Sequence, residues 1–330
     1  MNTENSNLRK FSEKINEYMW IGAVLEVLLR GEVLKNIDGK TDLRAIAEKT
    51  DINVNILKKM LSIFEALGIL KITDSIPIIS ENFDMDTAEN MLVIADRNSG
   101  VRTQTSEFVK QGLKKNIELG WNHTNIELLE LQGKLAGKPF VEFFAKNVLP
   151  KMGDLSRKLK EDNLHMLEVG SGTGQMSVAL ATQWPMLSIT CLEPLKTSVN
   201  IASDRIRIHQ LEERITILNK GIEKFVEKGN IFDAAWIASD FIPETILPNS
   251  IKQIYKTLRP GSWLWLLGIN SSNPLTNTIT SLRSSWWGGG SPNAEMLRTI
   301  LEQAGYTNVQ EASASSSRAF VHIIAQKPEA

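Results

Sequence analysis

The sequence predicts an α/β protein in which a mostly parallel sheet of seven strands, covered by helices, follows a smaller helical lobe. From residue 164 onward, short apolar stretches of strand length alternate with stretches of helical periodicity, the pattern of a parallel sheet wound with helices. Where the first of these strands gives way to a helix stand three glycines at every second position, Gly170, Gly172 and Gly174. Before residue 80 the order is instead helix, helix, helix, hairpin.

From Tyr18 to Leu29 the residues Trp20, Ile21, Val24, Leu25, Val27 and Leu28 recur at helical spacing, and Gly31 weakens that helix near its end. In the next stretch Thr41 or Asp42 can cap one helix and Asn53 another, with Leu57, Met60, Leu61, Phe64 and Leu67 on one stripe and Gly68 as the stop. ILKI and IPIIS then read as short strands around Thr73 to Ser75, giving the order of a winged helix-turn-helix. Lys58 and Lys59 are two charges amid an apolar stripe, so this helix reads as a packing surface rather than a reader of DNA.

Residues 84 to 160 are mostly helical in pattern, with a break at Gly120 to His123. The expected domains are thus a winged-helix-like domain over 1–80, a helical connector or lid over 81–155 and a domain of alternating strands and helices over 156–330. In the last, LHMLEVG, SITCLEP, RITILNKG, FDAAWIAS and SWLWLLGIN are the first five strands, and YTNVQEAS and RAFVHIIAQK the final two. QMSVALATQW, KTSVNIASDRIRIHQL, ILPNSIKQIYKTL and MLRTILEQAG are the helices between them.

Composition narrows the class. The chain of 330 residues is 42% apolar and 23% charged, ordinary for a globular protein. Lys plus Arg is 37 against Asp plus Glu 38, so no overall positive field exists to hold nucleic acid or an anionic membrane. The single cysteine, Cys191, makes no internal disulfide and excludes a Cys-rich zinc site; no metal is expected, and a reducing cytoplasm fits. The start MNTENSNLRKFSEK is polar, and apolar runs such as Trp263 to Ile269 are strand-sized, so no targeting or membrane-spanning segment is expected.

The chemistry centres on Glu168-Val-Gly170-Ser171-Gly172-Thr-Gly174. Glycines at a strand-to-helix turn let the backbone approach a ligand closely. A G-x-G-x-x-G reading fails because Gln175 or Ser177 would occupy the last glycine, and no Gly-Lys-Ser/Thr follows to make a phosphate loop. The spacing E-x-G-x-G-x-G resembles motif I of the class I S-adenosylmethionine-dependent methyltransferases. That resemblance implies that Glu168 positions the methionine end of the cofactor and the loop, with Gly170, Ser171, Gly172, Gly174 and Gln175 along it. Strand two ends in Glu193-Pro194, nineteen residues after Gly174, where a carboxylate accepts hydrogen bonds from ribose hydroxyls. Gly221 and Ile222, after strand three, match the position where the family contacts adenine. Strand four delivers Ala238, Ser239 and Asp240 to the carboxyl edge, and TLRPGSWLWL resembles the family's segment before strand five.

A winged-helix lobe, a helical connector and a Rossmann lobe together resemble the dimeric O-methyltransferases of small molecules across nearly the whole chain. This implies S-adenosylmethionine as cofactor and a homodimer built by the N-terminal lobe. Many such enzymes carry a histidine base in the loop after strand four, whereas here that loop is Asp240-Phe-Ile-Pro-Glu-Thr. Asp240 is left as general base, cofactor contact or helix cap ahead of Pro243. His123, in the break beside Trp121, closes over the pocket or is an ordinary loop residue. Phe140, Phe143 and Phe144 read as helix core or pocket lining, and Trp286 and Trp287 before Gly288 to Gly290 as a pocket wall or lid. His165 and His209 read as exposed or structural, His322 as alternating within the last strand, and Cys191 as a small buried side chain.

The function these features imply is methylation, with a carboxylate or hydroxyl of a small-molecule or peptide natural product as acceptor. A carboxylate needs no deprotonation, and Arg97, Arg102 or Arg283 can steer it. A hydroxyl activated by Asp240 comes second and a carbon of an enolisable acid third. Two competing classes are a winged-helix DNA-binding regulator with a nucleotide-sensing Rossmann lobe and a catalytically inactive dimeric scaffold. The near-zero net charge argues against the regulator.

Overall fold

The computed structural model describes residues 7–83, 88–112, 125–226, 229–269, 273–313 and 320–329. The chain divides into two compact units, Met1–Val109 and Lys110–Ala330. Among the described residues, no helix is long and apolar enough to cross a membrane.

The first unit contains α1 (Asn7–Arg30), α2 (Leu43–Thr50), α3 (Val54–Ala66), the strands β1 (Leu70–Thr73) and β2 (Ile76–Ile79), and most of α4 (Ala88–Gly112). Asp42 accepts the amides of Arg44 and Ala45, both at 2.9 Å, and Asn53 those of Asn55 and Ile56 at 3.0 and 3.2 Å. Each cap satisfies donors that the first turn of a helix leaves without a partner. β1 and β2 pair antiparallel, and Asp74 and Ser75 turn between them with φ of 52° and 67°, the two-residue form whose twist matches that of the strands. Leu57, Met60, Leu61 and Phe64 are buried with Val24, Leu28 and Ile46, while Leu67 is exposed. α1 begins at Asn7 rather than Tyr18, because Leu8, Phe11, Ile15 and Tyr18 extend the helical spacing backwards. Those four, with Met19 and Trp20, are 42–75% exposed, so the core of this unit does not use them.

The second unit opens with α5 (Ile126–Leu135), α6 (Lys138–Asn147) and α7 (Leu155–Glu161), all beginning within the expected connector. Then come β3 (His165–Val169), α8 (Gln175–Gln183), β4 (Ser188–Leu192), α9 (Lys196–Ile208), β5 (Ile215–Leu218), β6 (Phe232–Ile237), α10 (Leu247–Thr257) and β7 (Leu258–Ile269). α11 (Pro274–Trp286), α12 (Ala294–Gln303), β8 (Thr307–Ser313) and β9 (Phe320–Gln326) complete it. The seven strands lie in the order β5-β4-β3-β6-β7-β9-β8, parallel from β5 to β7, with β9 antiparallel to both neighbours. The chain moves outward from β3 through β4 to β5, then returns to the other side of β3 for β6. This reversal opens a crevice beyond the carboxyl ends of β3 and β6, where open sheets of this kind take their ligands.

Side chains alternate across the sheet, as the pleat requires. Met166 of β3 faces a core with α6, α7 and α8, and Leu167 and Val169 face a second core with α10 and α12. Phe144 of α6 stacks on Trp265 with ring centres 3.9 Å apart and meets Trp184 edge-on at 6.1 Å. Phe140 lies 5.3 Å from Trp265 and 5.4 Å from Trp236. Both rings are thus engaged in the core of this face, the packing alternative open to them in the sequence. α11 was not expected; its start is set by Asn273, which accepts the amides of Leu275 and Thr276, followed by Pro274 in the first turn.

Candidate active site

The turn after β3 is held to the end of β4 by its own amides. Gly170 and Ser171 both donate to the Leu192 carbonyl, at 2.8 and 3.2 Å, and Gly172 donates to Glu193 Oε2 at 2.8 Å. The other oxygen of Glu193 accepts the Leu195 amide at 2.8 Å, and Asn219, after β5, donates to the carbonyls of Glu193 and Pro194, both at 3.0 Å. Gly172 adopts φ of 56°, a conformation that costs any other residue, and no atom lies within 4 Å of where its side chain would be. At Gly174 a Cβ would lie 3.0 Å from that of Ala202, so this glycine lets α8 and α9 approach each other. The loop therefore shows bare backbone outward at the start of α8, whose first amides point the same way.

Two carboxylates lie buried at this turn. Glu168 is fully enclosed; its Oε2 accepts the Ser177 hydroxyl at 2.6 Å, and the Cys191 thiol packs 4.0 Å from the same oxygen. Burial pushes its pKa up to about 7, a rise opposed by Ser177 and reinforced by the charge of Glu193. Glu193 is also raised by burial, with the amides of Leu195 and Gly172 pulling back. Burial raises the Cys191 thiol too, which leaves it a small packed side chain.

A third buried carboxylate follows β6. Ser239 donates its hydroxyl to the Leu267 carbonyl and fixes the strand end, and Asp240 comes next, 3% exposed. Its Oδ1 has no hydrogen-bond partner among the described residues, and burial lifts its pKa to about 6 against the pull of Arg283. Asp240 is covered from α11 and the loop beyond it. Trp287 stacks on Phe241 at 5.5 Å, Gly290 donates to the Ile242 carbonyl at 3.0 Å, and a side chain on Gly289 would run into the Asp240 carbonyl.

The structure brings Glu168, Gly170, Ser171, Gly172, Gly174, Gln175, Glu193 and Pro194 together at one turn, with Ala238, Ser239 and Asp240 on the adjacent strand end. Gly221 follows β5, whereas the side chain of Ile222 packs into the core with Leu192 and Phe225. Trp121 and His123 lie outside the described residues. His165 opens β3 and so sits at the amino edge, bonded to Thr190 Oγ1 at 2.8 Å, and His209 ends α9. His322 Nδ1 accepts the Trp265 indole N–H at 3.0 Å. Since an indole only donates, the neutral ring carries its proton on Nε2 and offers no base there. Of the three arginines considered for steering, Arg283 lies near Asp240, while Arg97 and Arg102 belong to the first unit, where Arg102 pairs with Glu26.

Sequence reasoning placed α5 only within a mostly helical stretch and missed the residues that join it to the glycine loop. Arg205 of α9 donates from Nε to the Thr173 carbonyl at 2.9 Å and pairs with Glu130 of α5. The available signal was Asn125, which caps α5 by accepting the Leu128 amide at 3.1 Å. Arg205 itself offered none, since a basic residue late in a helix is ordinary.

Residues 166–261 match the family described as a methyltransferase domain. A demethylmenaquinone methyltransferase of Leptospira interrogans is 24% identical over 190 residues, 50% of this chain and 76% of that protein. The crystal structure of human N-acetylserotonin methyltransferase in complex with S-adenosylmethionine superposes with a TM-score of 0.65 at 14% identity, covering 99% of this chain and 100% of that one. The mitomycin 7-O-methyltransferase MmcR gives 0.59 at 15% identity, over 97% and 98%. These two structural likenesses show the fold.

Glu168 should make the stability of the protein depend on pH. The folded state holds the proton until about pH 7, whereas an unfolded chain releases it near 4.3. Its contribution is therefore intact below about pH 4 and is lost as pH rises through 7, up to about 4 kcal/mol in all. Glu168→Gln, neutral and of the same shape, should lose less stability than the parent between pH 5 and 8 in urea titrations without ligand. Equal losses in the two proteins would show that the carboxyl is already ionised at pH 5.

Proposed function

We propose that this chain, a methyltransferase dependent on S-adenosylmethionine, methylates an oxygen of a small-molecule or peptide natural product, a carboxylate first and a hydroxyl second. The observation that carries the preference is that the loop after β6, Asp240 to Thr245, contains no histidine to serve as a base. The fold shared with a mitomycin 7-O-methyltransferase supports an oxygen acceptor of the natural-product kind.

The residues present fit the cofactor. Open space at Gly170 and Gly172 admits a ligand against bare backbone. Each Glu193 oxygen accepts one amide and retains a lone pair for a ribose hydroxyl. In this reading the amides at the start of α8 receive the carboxylate of the methionine end, Glu168 supports the loop from beneath, and the backbone at Gly221 borders adenine. Bound S-adenosylmethionine supplies a methyl group already activated on a sulfonium. The protein has then to align the acceptor oxygen and exclude water. Arg283 near Asp240 supplies positive charge for an acceptor carboxylate. The exposed apolar stripe of α1 supports a homodimer held by the first unit.

Three outcomes test this. Gly172→Val and Glu193→Ala, each folded, should weaken S-adenosylhomocysteine binding about tenfold or more by calorimetry; parent-like affinity in both would move the cofactor elsewhere. A truncated chain of residues 110–330 should sediment as a monomer while the whole chain sediments as a dimer, and a dimeric truncation would place the interface in the second unit.

The acceptor is read from the product and the pH profile. A carboxylate acceptor yields a base-labile ester, a rate nearly flat from pH 6.5 to about 9, and an Asp240→Asn variant that loses far less than the roughly 10²–10⁴-fold a general base is worth. An ether product, with Asp240→Asn losing that full factor and the parent rate falling as Asp240 is protonated below about pH 6, would establish the hydroxyl reading instead.

A further inference from the structure

We propose that Arg205 is a positioning residue for the cofactor loop, and that its ion pair with Glu130 couples the seating of α5 to the affinity of that loop for S-adenosylmethionine. The inference rests on the cofactor reading above and adds a part of the molecule that touches no cofactor atom. Glu193 holds the loop by the Gly172 amide; Arg205 holds it from the opposite polarity, by the carbonyl of the next residue, Thr173, at 2.9 Å from Nε. Opposed grips on adjacent residues fix the orientation of a segment whose glycines would otherwise leave it free.

The same guanidinium reaches two further groups. Its Nη2 meets Glu130 of α5 at 2.5 Å, and the Gln175 carboxamide, with its oxygen turned toward Arg205, accepts from both Nη atoms at 2.9 and 3.0 Å. The planar fork of arginine can serve a carbonyl, a carboxamide and a carboxylate at once, which a lysine cannot. Arg205 is 17% and Glu130 34% exposed, so the pair is shielded enough to matter. α5 also presses on the loop directly. A side chain at Gly133 would come within 2.1 Å of Thr173 Oγ1, so α5 packs closely on the loop there and a larger residue would displace Thr173. The loop is thereby held between the end of β4 and α5, with Arg205 as the link.

The test is calorimetric titration of the full chain with S-adenosylhomocysteine, paired with thermal unfolding without ligand. Arg205→Ala should weaken binding about tenfold and Glu130→Gln about threefold. Glu130→Gln should add nothing once Arg205 is gone, because the two act as one unit. Arg205→Lys should recover part of the loss. Unchanged affinity in Arg205→Ala and Glu130→Gln, even with lowered unfolding temperature, would reduce the pair to a structural contact and overturn the proposal. So would a Glu130→Gln effect of the same size with and without Arg205. Should Arg205→Ala not fold, the affinities of Glu130→Gln and Arg205→Lys decide between the same two outcomes: weakened binding in both supports the coupling, and parent-like binding in both overturns it. A parent that binds no cofactor fails at the prior reading and is told apart by that alone.

Discussion

The hydrogen bond from the Gly172 amide to Glu193 is the constraint on which the site depends. It exists because β3 and β4 pair in parallel with Glu168 opposite Cys191 and Val169 opposite Leu192, so that the residue after each strand arrives at the same level. A slip of one residue would turn every side chain of β4 to the other face of the sheet and take the carboxylate away from the loop. Asn219, arriving from β5, buttresses the same strand end, so three successive strands contribute to placing one carboxylate. That shared dependence explains how a loop rich in glycine stands in a single shape without a large side chain of its own.

Three carboxyl groups are buried at this edge. Glu168 lies under the turn, Glu193 beside it and Asp240 at the end of the neighbouring strand, and all three are raised by burial. Burial in low dielectric disfavours the ionised carboxyl, and a cation brought among such groups draws their pKa values down. The energy that folding loses by enclosing them is recovered in part when a positively charged ligand arrives. A sulfonium with an amino group nearby has the right sign for that recovery.

Much of this was legible because it is local. The acidic residue and the glycines of the turn follow a fixed spacing, the caps Asp42 and Asn53 are set by the residues next to them, and the alternation of strand and helix reports the parallel sheet. What escaped is held by contacts distant in sequence. Arg205 acts through Thr173 and Glu130, 32 and 75 residues away. Phe144 read as helix core or pocket lining, and what places it in the core is Trp265, 121 positions later. α11 was masked by the Trp-Trp-Gly-Gly-Gly sequence at its end, although Asn273 and Pro274 marked its start. The extension of α1 to Asn7 has another cause: its apolar residues stay exposed among the described residues, so the periodicity was present without a core to explain it.

The balance between the two acceptor readings turns on Asp240. Burial raises it to about 6, which improves it as a base relative to an ordinary aspartate. A phenolic hydroxyl, however, has a pKa of about 10, so moving its proton to Asp240 runs uphill by about four units, or about 5 kcal/mol, before the methyl is touched. A base of that strength helps only if the proton leaves as the methyl arrives, with Oδ1 in direct contact with the acceptor. The Asp240 carbonyl lies against Gly289, Trp287 stacks on the following residue and the carboxyl itself is buried, so the aspartate is closely enclosed. A carboxylate acceptor asks nothing of Asp240 as a base, and the positive charge of Arg283 nearby then serves the acceptor directly. Enclosure that makes the aspartate a better base in principle makes it a less adaptable one in place, and this tilts the site toward an oxygen that arrives already ionised.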